Sequence, residues 1–211
     1  MNRHKLLTTA AAAVVLLGLS ACTNDETGTA SDTTTAVETT ATSGSSTTEA
    51  AGQSAQHSEA DVMFAQMMMP HHQQAIEMSA IILAKDGVPD DVTARADEIK
   101  AAQGPEIEQL TTWLEQWGEP TQPQDMDGGH DMSEMEGMLS DEDLQQLSDA
   151  PGPEAAELFL NQMIAHHEGA VSMAEDEIAN GIYQLAIDLA QTIIDTQQQE
   201  IDTMRQMLDA M

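Results

Sequence analysis

Two stretches set histidine pairs among methionines at helical spacing: MMMPHHQQAIEM, from Met67 to Met78, and NQMIAHHEGAVSM, from Asn161 to Met173. Thioether sulfur and imidazole nitrogen form a soft to borderline donor set. It suits Cu(I) through sulfur and Cu(II) through nitrogen, and it disfavours Mg²⁺, Ca²⁺ and Mn²⁺. At about 100° per residue, Met68, His71, His72, Ala75 and Met78 share roughly a third of one helix circumference. Phe64, Ala65 and Ile82 lie on the same side, so the histidines face a core and not solvent. The second stretch repeats the face with Phe159, Leu160, Met163, His166, His167, Ala170 and Met173.

A single histidine on an apolar face is ordinarily a satisfied core residue, and methionines at this spacing are ordinarily packing. Four inward histidines are a different case. Each buried imidazole needs a polar partner, and one metal ion satisfies several at once. Four-helix di-iron proteins use Glu-x-x-His, a hard carboxylate one turn before the imidazole. That motif is absent here, and the same spacing holds Met68-x-x-His71, Met69-x-x-His72 and Met163-x-x-His166. The candidate metal ligands are therefore His71, His72, His166 and His167, with Met68, Met78, Met163 and Met173 selecting Cu(I). Outside the cytoplasm methionine is the sensible sulfur donor, because free thiols there are readily oxidised. Met126, His130, Met132, Met135 and Met138, in the stretch DMDGGHDMSEMEGM, make an auxiliary candidate for Cu(I) capture.

The positions of these residues follow from an internal duplication. Phe64, Met68, His71, His72, Ala75 and Met78 recur 95 residues later, and QGPEIEQL (Gln103 to Leu110) recurs as QQQEIDTM (Gln197 to Met204) at an offset of 94. The slip of one residue belongs in the turns. Gln103, Glu106, Gln197 and Glu200 then lie on partner helices, where they can orient the imidazoles from behind.

Local signals make each half a helical hairpin. Ser58 with Asp61 is a capping-box start, Gly87 is a candidate C-terminal cap, and Pro89 precedes a helix running to about Trp117, with a kink expected at Gly104-Pro105. Pro151-Gly152-Pro153 opens the third long helix, Asn180-Gly181 closes it, and the fourth runs from Ile182 to the C-terminus. One hairpin buries only a stripe, so two should pack face to face as an all-α four-helix bundle. The hairpins are 58–117 and 153–211. A polar connection, 118–152, joins them and carries a short helix candidate in SDEDLQQLSDA.

The N-terminus has a basic start (Arg3, Lys5), an apolar run from Leu6 to Leu19 and small residues before Cys22. This is the layout of an export signal over residues 1–21, and the run is short for a membrane span. Leu19-Ser20-Ala21-Cys22 resembles the lipobox of bacterial lipoproteins, which implies lipidation at Cys22, the only cysteine, and an anchor on the outer face of a bacterial membrane. Residues 22–57 are rich in Ser, Thr, Ala and Gly and read as a disordered tether. With 37 acidic against 6 basic residues and a net charge of −31, nucleic acid is a repelled partner.

The paired motif M-x-x-H-H-x-x-A-x-x-M followed by Q-x-x-E-I, present twice, resembles the family known as domain of unknown function 305. The resemblance implies a ferritin-like bundle and a copper role, since some members are exported copper-binding proteins. The expected function is extracytoplasmic sequestration or relay of copper. The alternatives are a copper oxidase, for which no catalytic acid, base or nucleophile stands out, and a metal-free bundle that binds another envelope protein; the expected partners are copper ions and the membrane, with an envelope protein or a second copy of the chain.

Overall fold

The structure, a computed structural model, describes residues 56–122 and 135–211. Five helices follow in order: α1 Glu59–Leu83, α2 Asp90–Trp117, α3 Asp141–Asp149, α4 Gly152–Asn180 and α5 Gln184–Ala210. Among the described residues there is no strand, and no helix is long and apolar enough to cross a membrane. Cys22, the leader and most of the tether lie outside the described residues, as do Met126, His130 and Met132.

The helix starts are built from short polar side chains. Ser58 caps α1 and Ser140 caps α3, each hydroxyl accepting from the amide three residues on, while Asp61 and Asp143 accept from the cap amides in return. Proline precedes both α2 and α4, and acidic residues occupy the first turn of each, where they complement the helix dipole. Asn180 ends α4 as the sequence indicates. The chain leaves α1 at Ala84, ahead of Gly87, which instead takes a left-handed conformation (φ 79°) inside the turn. There Lys85 donates to the carbonyls of Ser148 and Ala150 and ties the turn to the end of α3. Pro70 and Pro105 sit within α1 and α2, which continue through them.

α1 packs along α2, α4 along α5, and the hairpins meet through α1 and α4, with α3 bridging these two. Two apolar clusters fill the interior. One joins the first half of α1 to the second half of α4, through Phe64, Met68, Ala170 and Ala174, with Leu110, Trp113 and Ile193 from the outer helices. The other joins the second half of α1 to the first half of α4, through Met78, Ile82, Phe159 and Met163, with Ile99 and Met204. α1 and α4 are therefore antiparallel, and the duplication is a pseudo-two-fold relation. The residues between the clusters along each helix are the polar members of the repeat: His71 and His72, Gln103 and Glu106, His166 and His167, Gln197 and Glu200.

Candidate functional site

All four histidines are fully buried, in a polar layer between two apolar clusters. His71 and His166 meet at the pseudo-two-fold axis, their ring centroids 3.7 Å apart and tilted by 39°. His72 and His167 point to the outer helices. His72 Nε2 lies 2.7 Å from Glu106 Oε2, and His167 Nε2 lies 2.8 Å from Glu200 Oε2. Pro70 and Pro105 immediately precede His71 and Glu106 in the chain.

The hydrogen bonds set the tautomers of the outer pair. A carboxylate only accepts, so Nε2 of His72 and of His167 carries a proton, and in the neutral ring Nδ1 is the nitrogen that holds the lone pair. Both Nδ1 atoms lack a hydrogen-bond partner, as do both ring nitrogens of His71 and of His166. Gln103 Oε1 and Gln197 Oε1, at 3% exposure, are likewise unsatisfied. Burial pushes the His71 imidazole down to about 3, helped by His72 and His167, while the nearby Glu136 carbonyl acts in the opposite sense without making a hydrogen bond of good geometry. Burial, with the neighbouring His71, His167 and His72, likewise holds His166 well below the ordinary range. The central pair is therefore neutral near pH 7, which is the form that donates a lone pair to a metal.

A buried polar nitrogen without a partner is costly, and each such group ordinarily costs about 1–3 kcal/mol. Six such nitrogens lie in one layer, and four of them, one per neutral ring, can present a lone pair at once. Among the described residues no three His, Cys, Asp or Glu side chains are already arranged as a cage. At a centroid separation of 3.7 Å no ion fits between the tilted rings of His71 and His166, so an ion held by both requires the imidazoles to turn.

The methionines are distributed more widely than the histidines. Met68 belongs to one apolar cluster and Met78 and Met163 to the other, all fully buried. Met173 is half-buried and lines a surface cleft. Met135 lines the same cleft, and Met138 a hollow beside α3 and α4.

Three features near the layer escape a reading by motif. The segment Glu136–Leu139 crosses α4 as a strap. Its Leu139 amide donates to Gln74 Oε1 (2.7 Å), and Gln74 Nε2 donates back to the Leu139 carbonyl (2.9 Å). At Gly169, the position equivalent to Gln74, a Cβ would fall 2.0 Å from the Glu136 carbonyl oxygen, so only glycine admits the strap. The break in the repeat at Gln74 and Gly169 is the signal that could have revealed it. Gly137 (φ 82°) brings the strap backbone against Ala165 and His166.

Asp61 does more than cap α1. Its Oδ1 accepts from the amides of Ile182 (3.0 Å) and Tyr183 (2.9 Å), fastening the α4–α5 corner, and it faces Glu177. Burial raises the Asp61 carboxyl, but hydrogen bonds from Ser58, Tyr183 and Glu177 outweigh it and leave the net shift downward. Burial, followed by the hydrogen bond to Asp61 and its charge, pushes Glu177 up to about 8. Both Glu177 oxygens are buried with no donor in hydrogen-bond geometry, which favours the neutral acid.

A duplicated helical hairpin closed around a buried layer of imidazole donors defines a helical-bundle protein with a nitrogen-rich centre. The chain belongs to the family described as Domain of unknown function (DUF305), whose family model matches residues 61–208. Among solved structures it is similar to a DUF305 fragment from Deinococcus radiodurans, at 31% identity over 73% of this chain and 98% of that one, with a TM-score of 0.65. A DUF305 protein from Streptomyces coelicolor, described as secreted, is 30% identical over 72% and 93% of the two chains, with a TM-score of 0.66. CopM in its Cu(I)-bound form is 30% identical over 71% and 96%, with a TM-score of 0.59, and similar matches cover its Cu(II)-bound, Ag-bound and apo forms. No curated protein matches the chain.

Proposed function

We propose that this protein binds copper outside the cytoplasm, to sequester or relay it, and that the central histidine layer is its principal site. His71 and His166 supply the inner nitrogens, and His72 and His167 supply Nδ1, oriented by Glu106 and Glu200. Met68, Met78 and Met163 border the layer along the helices as thioethers that favour Cu(I). The likeness to CopM, solved with Cu(I), Cu(II) and Ag, supports a soft-metal cargo. The secreted relative and the leader-like N-terminus support export, and Leu19-Ser20-Ala21-Cys22 supports a lipid anchor.

The observation that carries the reading is the stacked His71–His166 pair, with all four nitrogens unpartnered in a sealed interior. A core built only for stability would not keep them. The variant H71L/H166L tests this by two measurements on the full chain. Metal-free thermal unfolding should shift upward by several degrees, because removing unsatisfied buried groups restores roughly 1–3 kcal/mol for each. Competition for Cu(I) against a chelator, under anaerobic conditions, should show the tightest site lost. Unchanged copper affinity with lowered stability would make the histidines ordinary core residues.

A further inference from the structure

Where the first half of α1 passes the second half of α4, the bundle surface holds a cleft of about 380 Å³ lined by four methionines. Met63 and Met67 stand one turn apart on α1, Met173 projects from α4, and Met135 comes from the chain entering the strap. Met63 is 59% exposed and the other three are half-buried. Met173 packs in part against the first apolar cluster, whereas core packing does not account for Met63, Met67 or Met135, which belong to neither cluster. The ionisable residues that line the cleft are all acidic, Glu136 and Asp176 among them, and no histidine lines it.

We propose that this cleft is a second metal site, an all-thioether site for a soft monovalent cation of the Cu(I) or Ag(I) class, separate from the histidine layer. Thioethers are neutral and polarizable, and three or four of them satisfy such an ion without the carboxylate or water oxygens that a hard cation demands. Methionine has three rotatable bonds, so sulfurs around an open hollow can converge on an ion. The acidic lining concentrates cations at the mouth. Because the cleft is open where the layer is sealed, its ion exchanges with solvent or with a donor while a buried ion is retained. The proposal does not depend on the histidine assignment.

Ag(I), which is redox-inert, is the probe, titrated calorimetrically into the full chain, the variant M63L/M67L/M135L/M173L and H71L/H166L. Leucine keeps the bulk and removes the sulfur. The methionine variant should lose one Ag(I) equivalent and keep any ion that depends on the histidines, while H71L/H166L should keep the cleft ion. Equal stoichiometry and affinity in the chain and the methionine variant would overturn the proposal. M63L/M135L changes only residues outside both apolar clusters and guards against loss of fold. It should weaken the cleft ion by about tenfold or more, at least the cost of losing an outer-shell partner at metal sites, and an unchanged affinity would again overturn it.

Discussion

His72 and His167 each have one nitrogen committed to a carboxylate and one free, and the commitment is what makes the free one useful. Glu106 Oε2 and Glu200 Oε2 hold a proton on Nε2, so in the neutral ring it is Nδ1 that presents a lone pair, in a fixed direction. Glutamine at either position would also offer an amide N–H, which lets the ring flip its tautomer and turn. E106Q and E200Q should each weaken copper binding by about 10–100-fold with the helix content unchanged, measured by chelator competition beside circular dichroism. Equal affinity would reduce both glutamates to ion-pair partners, a role Glu200 already has with Arg95 at 3.8 Å. The motif spacing placed all four histidines inward and Glu106 and Glu200 behind them. It could not say that His71 and His166 touch, because that contact lies between residues 95 apart in the chain and depends on how two helices cross.

Among the elements, the strap lies directly over α4 at Ala165, His166 and Gly169. Gln74 receives and returns a hydrogen bond with Leu139, and Gly169 leaves room for the Glu136 carbonyl. Q74A would strand the Leu139 amide and carbonyl in a buried place, a loss of roughly 1–3 kcal/mol. Local opening should then become far more frequent, read as faster amide exchange confined to 135–139, and copper should enter the layer faster. An exchange pattern identical to that of the unchanged chain would mean that packing of Leu139 alone holds the strap. The helices themselves were largely legible in the sequence, since caps, prolines and Asn180 mark their ends locally. Gly87 was the exception, because tertiary contacts to α3 claim the turn before the helix can reach it.

For the whole molecule, the charge of −31 makes close carboxylates unfavourable, and burial followed by the neighbouring Asp61 holds Glu177 toward its neutral form. Glu177 is 2% exposed and titrates near 8 in the fold against 4.5 ordinarily, so the folded chain holds a proton that the unfolded chain releases. Its stabilising contribution is complete below pH 4.5, declines by up to about 1.4 kcal/mol per pH unit above that, and is gone once pH has risen through about 8. E177Q should flatten this part of the stability profile, as followed by denaturant midpoints between pH 5 and 9. A slope identical to that of the unchanged chain would place the proton elsewhere. Asp61 also joins α1 to the α4–α5 corner through the amides of Ile182 and Tyr183.

By itself the sequence determined the all-helical class, the two hairpins and the residue types on their inward faces, because periodicity, capping and repetition are local properties of the chain. Only the tertiary structure decided that the histidines form one layer between two apolar clusters, that Met173 turns to a surface cleft with Met63, Met67 and Met135, and that Gln74 and Gly169 grip a strap. These depend on the antiparallel crossing of α1 and α4. A crossing is set by side chains far apart in sequence filling one volume, and no short motif encodes it.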